Sequence, residues 1–337
     1  MKLLRKVFFS ILISLLAIST TISQTDSLTL FESLYGDTPI EMHIKTNLRK
    51  IIKMKAKKEK HTGVLTYKDA NGVEREWHLK IRARGNMRNK ICFLPPLKLN
   101  FKKGELRSAG IQGKYDDFVL REYLAYKLYN ELTENSFRVQ LIKLTLEDIE
   151  NKQKPIETFA YLIEDIDEVA ERVDGRVISA ELFNHTRLHP ATYDMMCVFQ
   201  FMIGNLDWHI LRQHNTKLIT NKSLQSVVAI PYDFDYSAVV GTSYATPHER
   251  IPVQDIRERY FLGLCREKGE YEPTLQLFRD KKEQLLAVYN NFPLLSEKAK
   301  KPVLAYLKDF FNILENPKSY QSKIINHCDR FIKVKLK

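Results

Sequence analysis

Glycine-rich phosphate loops are missing from this sequence: neither GxGxxG nor GxxxxGK[ST] occurs, which excludes a backbone phosphate cradle of either kind. The four cysteines, Cys92, Cys197, Cys265 and Cys328, form no CxxC pair and no metal-finger spacing, and they leave three disulfide pairings open. Cys197 falls inside the apolar stretch 193–203 and reads as a core thiol. Glycine and proline number 12 each in 337 residues and are nowhere gathered into a linker, so nothing forces the chain into independent domains. Internal repeats, low-complexity tracts, RNP-like motifs and helix-turn-helix patterns are absent too. Beyond the N-terminus no segment supplies the roughly eighteen uninterrupted apolar residues that a membrane-spanning helix needs.

What is present begins with Lys2, Arg5 and Lys6, followed by an apolar stretch at 7–18 and a small, polar one at 19–24. That order predicts a signal peptide over residues 1–24, with an uncleaved anchor as the alternative. The mature chain is then exported, to the periplasm, the cell envelope or the medium, where disulfides are permitted. No cysteine stands at the cleavage point, which counts against a lipid-anchored form. Losing those three cations lowers the net charge from +12 to near +9. Much of the excess lies in 45–60, where Lys and Arg alternate with Ile, Met and Ala; this reads as a solvated strand face, with an anionic partner as the other possibility. No specific nucleic acid and no stable membrane span after cleavage are expected.

With 44% hydrophobic residues the chain can bury a large core. Its first half alternates with period two at 63–68, 76–84 and 97–101, with Asp69-Ala70-Asn71-Gly72 as a hairpin turn. Helical spacing follows at 117–132, then strands at 139–146 and 158–163. In the second half, Pro190 starts a helix to about Ile203, 216–219 and 226–230 form a hairpin, and 253–264, 271–291, 296–314 and 319–332 are helix candidates. Strands first and helices second is an α+β order. The boundary is expected near 165: a β-rich lobe over 25–165 and a mainly helical lobe over 166–337.

Two acidic clusters carry the chemistry: Gly204-Asn205-Leu206-Asp207-Trp208-His209 with Asn215 downstream, and Tyr232-Asp233-Phe234-Asp235 after the hairpin. Carboxylates and a carboxamide held on rigid supports around one point suit a divalent cation and phosphate. Asp233 and Asp235 share a side in extended backbone, and like charges so close call for a cation or protons; N-capping is the other reading for Asp235. On the 97–101 strand, alternation separates Leu97, Leu99 and Phe101 from Lys98 and Asn100, leaving Lys98 to face a cleft or bulk water. Arg82, Arg84 and Arg88 flank Gly85, as a guanidinium-lined phosphate turn or as an exposed hairpin tip. His209 and His214 read as structural hydrogen-bonders.

These segments, in this order, resemble the spore-coat protein H (CotH) kinase family of atypical protein-kinase-like folds. The likeness rests on Arg82-Ala83-Arg84-Gly85-Asn86, the helix from Leu120 to Tyr129, Tyr161-Leu162-Ile163-Glu164-Asp165-Ile166-Asp167 and the two acidic clusters, across about 80–237. It implies a two-lobed kinase-like fold that transfers phosphate from ATP, with Mg²⁺ or Mn²⁺, to a hydroxyl on a protein. Asp207 would be the catalytic aspartate; Asn215, Asp233 and Asp235 would hold metal, with Asn205 a spare amide. Lys98 would pair with Glu122 and, with Arg82, Arg84 and Arg88, clamp phosphates, while the segment around Glu164 would meet adenine. Two other functions fit the same residues: a catalytically inactive kinase-like envelope scaffold for a protein partner, and a metal-dependent nuclease or phosphodiesterase.

Overall fold

Alternation in the first half closes a sheet on itself. The computed structural model describes residues 29–85, 87–101, 110–113, 117–267 and 269–327; the expected signal peptide at 1–24, Asn86, Cys328 and the end of the last helix candidate lie outside the described residues. A short helix α1 (Leu30–Leu34) is followed by seven strands: β1 (Ile40–Thr46), β2 (His61–Lys68), β3 (Glu74–Ala83), β4 (Leu97–Asn100), β5 (Gly110–Gly113), β6 (Val139–Asp148) and β7 (Ile156–Ile163). They form a closed barrel in the order β1-β2-β3-β4-β5-β7-β6, with β6 returning to β1 in parallel. Closure satisfies both edges of the sheet. Met42, Ile44, Leu65, Leu79, Ile81, Leu97, Leu99, Ile142 and Leu144 fill one core inside it. The turn between β2 and β3 is the expected one: Asp69 accepts from the Asn71 and Val73 amides, and Gly72 takes φ +75°.

The basic run at 45–60 departs from the expected strand face. Asn47 caps α2 (Leu48–Lys53), whose Leu48 and Ile51, three apart, are buried against the barrel core, and a short turn at Lys55–Lys57 follows. Tertiary burial of those two residues overrides a period-two pattern carried mostly by exposed lysines. The turn after β3 is likewise no hairpin tip, because α3 (Met87–Ile91) begins there and carries Arg88.

Helix α4 (Asp117–Asn130) crosses the outside of β6 and β7. Its Leu120, Leu124 and Leu128 join Val139, Leu141 and Tyr161 in a second, larger core that continues into the C-terminal half. That half holds α5 (Ile166–Arg172), the small sheet β10-β9-β8 of β8 (Val177–Ile178), β9 (Thr216–Asn221) and β10 (Ser226–Pro231), and α6 (Pro190–Ile203). It ends in α7 (Glu272–Asp280), α8 (Lys282–Asn290), α9 (Glu297–Glu315) and α10 (Pro317–Tyr320). The architecture is thus α+β, a curled β-rich N-terminal region followed by a mainly helical one.

Two helix expectations need correction. Residues 253–264 form no helix: the Gln254 and Asp255 amides bond to Glu258, and Arg259 leaves helical register to stack 3.6 Å from the Tyr306 ring and pair with Asp309. The span 271–291 breaks at Lys281 into α7 and α8. The last candidate, 319–332, is helical over 319–325, where α10 runs on into a π-helix at Gln321–Ile325, and its end lies outside the described residues. Among the described residues no helix is long and apolar enough to cross a membrane. Cys197 is buried and free, as expected of a core thiol; Cys92 is also buried and free, whereas Cys265 is disulfide-bonded.

Candidate active site

The first acidic cluster is set by the end of α6. Gly204 closes that helix at φ +65°, where a Cβ would fall 2.2 Å from the Tyr306 hydroxyl and 2.8 Å from Ala238 Cβ, so only glycine fits. The chain then turns through Asn205, whose amide donates to Gln200 and whose Oδ1 accepts the Asp207 amide at 3.1 Å. Asp207 is held from both oxygens: His214 Nε2 lies 2.8 Å from Oδ1, and Asn215 Nδ2 donates to Oδ2 at 2.9 Å. His209 and His214 exchange backbone hydrogen bonds and stack, ring centroids 5.4 Å apart.

The second cluster is tied to the first by backbone. Tyr232 N donates to Asn215 O, Ala238 N to Gly204 O and Val239 N to Ile203 O, which brings two segments separated by a hairpin to one place. Asp233 stands at φ +61°, a left-handed conformation that costs a non-glycine residue about 1 kcal/mol or more, and its amide is fixed by the Tyr126 hydroxyl at 2.8 Å. Phe234 turns inward and is fully buried between Tyr126 and Phe199. Asp235 accepts from the Tyr244 hydroxyl at 2.8 Å.

Arg88 is the centre of the arrangement. Its Nη2 donates to Glu122 at 2.7 Å and to Asp233 at 2.8 Å, and its Nε donates to Asp235 at 2.7 Å. One guanidinium on α3 thereby joins α4 to the second acidic cluster. Burial opposes its charge, yet the three carboxylates outweigh burial and hold the guanidinium firmly protonated. One positive charge against three carboxylates leaves the cluster short of cation. Burial first, then Asp235 and Asp233, push Glu122 up to about 7, and burial followed by Asp235 raises Asp233 against the pull of Arg88. The hydrogen bond that His214 makes to the Asp207 carboxylate raises His214, while burial and His214 itself lower His209.

The expected residues are not all where the sequence put them. Asp207, Asn215 and Asp233 come together as expected. Glu122 faces the site, but its partner is Arg88 and not Lys98, because the buried guanidinium on α3 reaches it first. Arg88 consequently points at carboxylates and not at an open phosphate turn. Asp235 has one oxygen, Oδ2, committed to both Arg88 and Tyr244 and a side chain only 8% exposed, so internal partners already hold that oxygen. The Glu164 side chain is fully buried between Arg138 and Arg172, and its amide donates to Arg138 O. Asn205 is tied back to α6 and faces away from the metal role.

Arg82 and Lys98 are direct cross-strand neighbours on the outer face of β3 and β4, opposite buried Ile81, Leu97 and Leu99. Like charges so placed repel each other. Neither they nor Arg84, which lies within electrostatic reach of Asp233, has an ion-pair partner among the described residues.

In comparison with known proteins, no family model and no curated protein matches this chain. Solved structures do, among them the Helicobacter pylori proinflammatory kinase CtkA, with 11% sequence identity, covering 68% of this chain and 91% of that one at a TM-score of 0.42. That is a likeness to a kinase structure and decides nothing further, and the resemblance to the spore-coat protein H family stays a reading of the residues.

Sequence reasoning missed Tyr126, His214 as the partner of Asp207, Tyr244, and the hub role of Arg88. Tyr126 had a signal, since it stands four residues after Glu122 on one helix face. Tyr244 had none.

The raised groups fix a pH dependence. Glu122 binds its proton more tightly folded than unfolded, so its contribution is fully present below the ordinary 4.5 and is lost as pH rises through about 7. The raised His214 acts with the same sign from 6.5 upward. Glu122→Gln is expected to flatten this trend, so that between pH 5 and 7 wild-type stability in urea falls relative to the variant by about 1 kcal/mol per pH unit. Parallel curves for the two proteins would rule the assignment out.

Proposed function

We propose that this chain is an exported kinase-like protein that binds ATP with a divalent cation, Mg²⁺ or Mn²⁺, and transfers the terminal phosphate to a hydroxyl of a protein. The observation that carries this reading is the convergence of Asp207, locked to Asn215 at 2.9 Å, with Asp233, which has Arg84 within electrostatic reach. Asp207 would accept the acceptor hydroxyl's proton as that oxygen bonds to the γ-phosphorus and the bond to the bridging oxygen breaks, releasing ADP. His214 and Asn215 orient its carboxylate. Arg82, Arg84 and Lys98 would meet the phosphate oxygens.

The donor set suits a hard cation: Asp233, whose side chain is 37% exposed, and the amide oxygen of Asn215. Among the described residues no three His, Cys, Asp or Glu side chains form a metal-binding group, so the amide is needed to complete it. A divalent ion held there would neutralise charge on the phosphate oxygens.

One observation favours a second reading. Arg88 already fills the space between Glu122, Asp233 and Asp235, as suits a catalytically inactive kinase-like scaffold with an envelope protein partner.

Thermal unfolding separates the two. With ATP and Mn²⁺ together the wild-type midpoint is expected to rise beyond the effect of either alone, and Asp233→Ala is expected to abolish the joint shift. No shift with both present would remove the nucleotide-binding reading.

A further inference from the structure

We infer that the basic face formed by α2, the turn at Lys55–Lys57 and the end of α3 docks the chain peripherally on an anionic lipid surface, with Ile91 and Phe93 entering the headgroup layer. The inference stands apart from the proposed function, because none of these side chains belongs to the acidic site.

Two observations meet at this face, and the first is apolar. From Ile91 to Leu94 exposure alternates: Cys92 and Leu94 are buried, whereas Ile91 and Phe93 are 49% and 50% exposed. Of the six exposed large hydrophobic side chains among the described residues, only these two are near neighbours in sequence. The backbone that carries them is pinned. Cys92 N donates to Arg88 O at 2.9 Å, Asn89 Nδ2 to Gly85 O at 2.8 Å and Arg84 N to Pro96 O at 2.8 Å. Both side chains are therefore presented outward by a fixed segment.

The second observation is charge. Residues 45–60 hold eight Lys and Arg against one carboxylate, Glu59. Burial of Leu48 and Ile51 turns the rest of α2 outward, so Arg49, Lys50 and Lys53 are exposed, as are Lys57, Lys60 and, on α3, Lys90. Arg49 and Lys50 lie at the end of the face nearest Asp148 and Glu150. Lys53, Lys57, Lys60 and Lys90 have no ion-pair partner among the described residues. The 55–57 turn packs against α3: Lys55 donates to the Cys92 carbonyl, and Asn89 donates to the Lys55 carbonyl at 3.5 Å. That contact sets the basic turn beside the segment bearing Ile91 and Phe93.

Unpaired lysines around two protruding apolar side chains match an anionic bilayer surface. The ammonium groups meet lipid phosphates while the apolar side chains reach the acyl boundary. A duplex nucleic acid would engage the lysines and leave Ile91 and Phe93 in water. A folded protein would have to supply a pocket for each of them, whereas a headgroup layer yields around both.

The test is co-sedimentation with vesicles of phosphatidylcholine alone and of phosphatidylcholine with about 30 mol% phosphatidylglycerol. It uses the chain from Thr25, which keeps every described residue and lacks the apolar stretch at 7–18. Wild type is expected to sediment with the anionic vesicles and not the neutral ones, and added salt should weaken binding. Ile91→Ser combined with Phe93→Ser should weaken it about tenfold or more. Lys53→Gln combined with Lys57→Gln should weaken it roughly twentyfold, about fivefold for each cation removed. Because these side chains are exposed, unfolding midpoints should stay within about 2 °C of wild type. Phe93→Trp should show blue-shifted indole emission on the anionic vesicles beyond any change in wild type, whose Trp77 and Trp208 set the baseline.

No binding to either vesicle, or equal binding to both, would overturn the inference. So would anionic-vesicle binding that either double variant leaves intact; if a short DNA duplex or an acidic polypeptide then binds equally well, the face is a general polyanion surface. An unshifted Phe93→Trp emission on vesicles that bind the chain would overturn it whatever the stability of the double variants.

Discussion

Asp207→Asn is expected to lower phosphoryl transfer by at least about a hundredfold while leaving the ATP-dependent thermal shift close to wild type. A positioned general base typically contributes about 10²–10⁴ in rate. The substitution keeps the shape of the side chain and its hydrogen bond from Asn215 but removes the oxygen that can accept a proton. It also cancels the charge that raises His214, so the histidine's titration should move back toward its ordinary range. Two readouts are therefore available: transfer of labelled phosphate, and the His214 titration followed by NMR. Transfer at the wild-type rate with the histidine titration shifted as expected would show that the variant changed the site and that Asp207 is not the base.

The second large effect is on stability. Phe234→Ala is expected to cost about 3–5 kcal/mol, because a fully buried aromatic is replaced by a cavity that fixed neighbours cannot fill. The ring sits 4.7 Å from Tyr126 and 5.6 Å from Phe199, measured between centroids, and so joins α4 to α6. For a chain of this size the midpoint should fall by roughly 6 °C or more. Because Phe234 lies between Asp233 and Asp235, a protein that survives the loss should also bind Mn²⁺ more weakly. A midpoint within about 2 °C of wild type would contradict the packing described.

Helices and strands with strong periodicity were legible in the sequence. Pro190 and Gly204 bracket α6 as a proline start and a glycine stop should, and the structure keeps those bounds. The 97–101 alternation correctly sent Leu97 and Leu99 to the barrel core and Lys98 outward. Segments whose pattern is carried by charged side chains were not legible. The basic run at 45–60 alternates like a strand and forms a helix, because Leu48 and Ile51 decide its burial and the lysines do not. At 253–264, Arg259 found an aromatic ring and a carboxylate elsewhere in the fold, which no local spacing encodes.

The site divides in the same way. Asp207, Asn215 and Asp233 were recognisable because short-range chemistry marks them: a glycine stop, a turn and a strand end place each within a few residues of a rigid element. By itself the sequence determined the α+β order, the ends of α6, the hairpin turn and the acidic character of the two loops, all set by contacts close along the chain. Only the tertiary structure decided which cation meets those acids. Arg88 lies 34 residues from Glu122 and 145 from Asp233, and charge acts through space at a few ångströms whatever the separation in sequence. A barrel that closes on itself and a helix that leans across it brought Arg88 to Glu122 and left Lys98 on the open face.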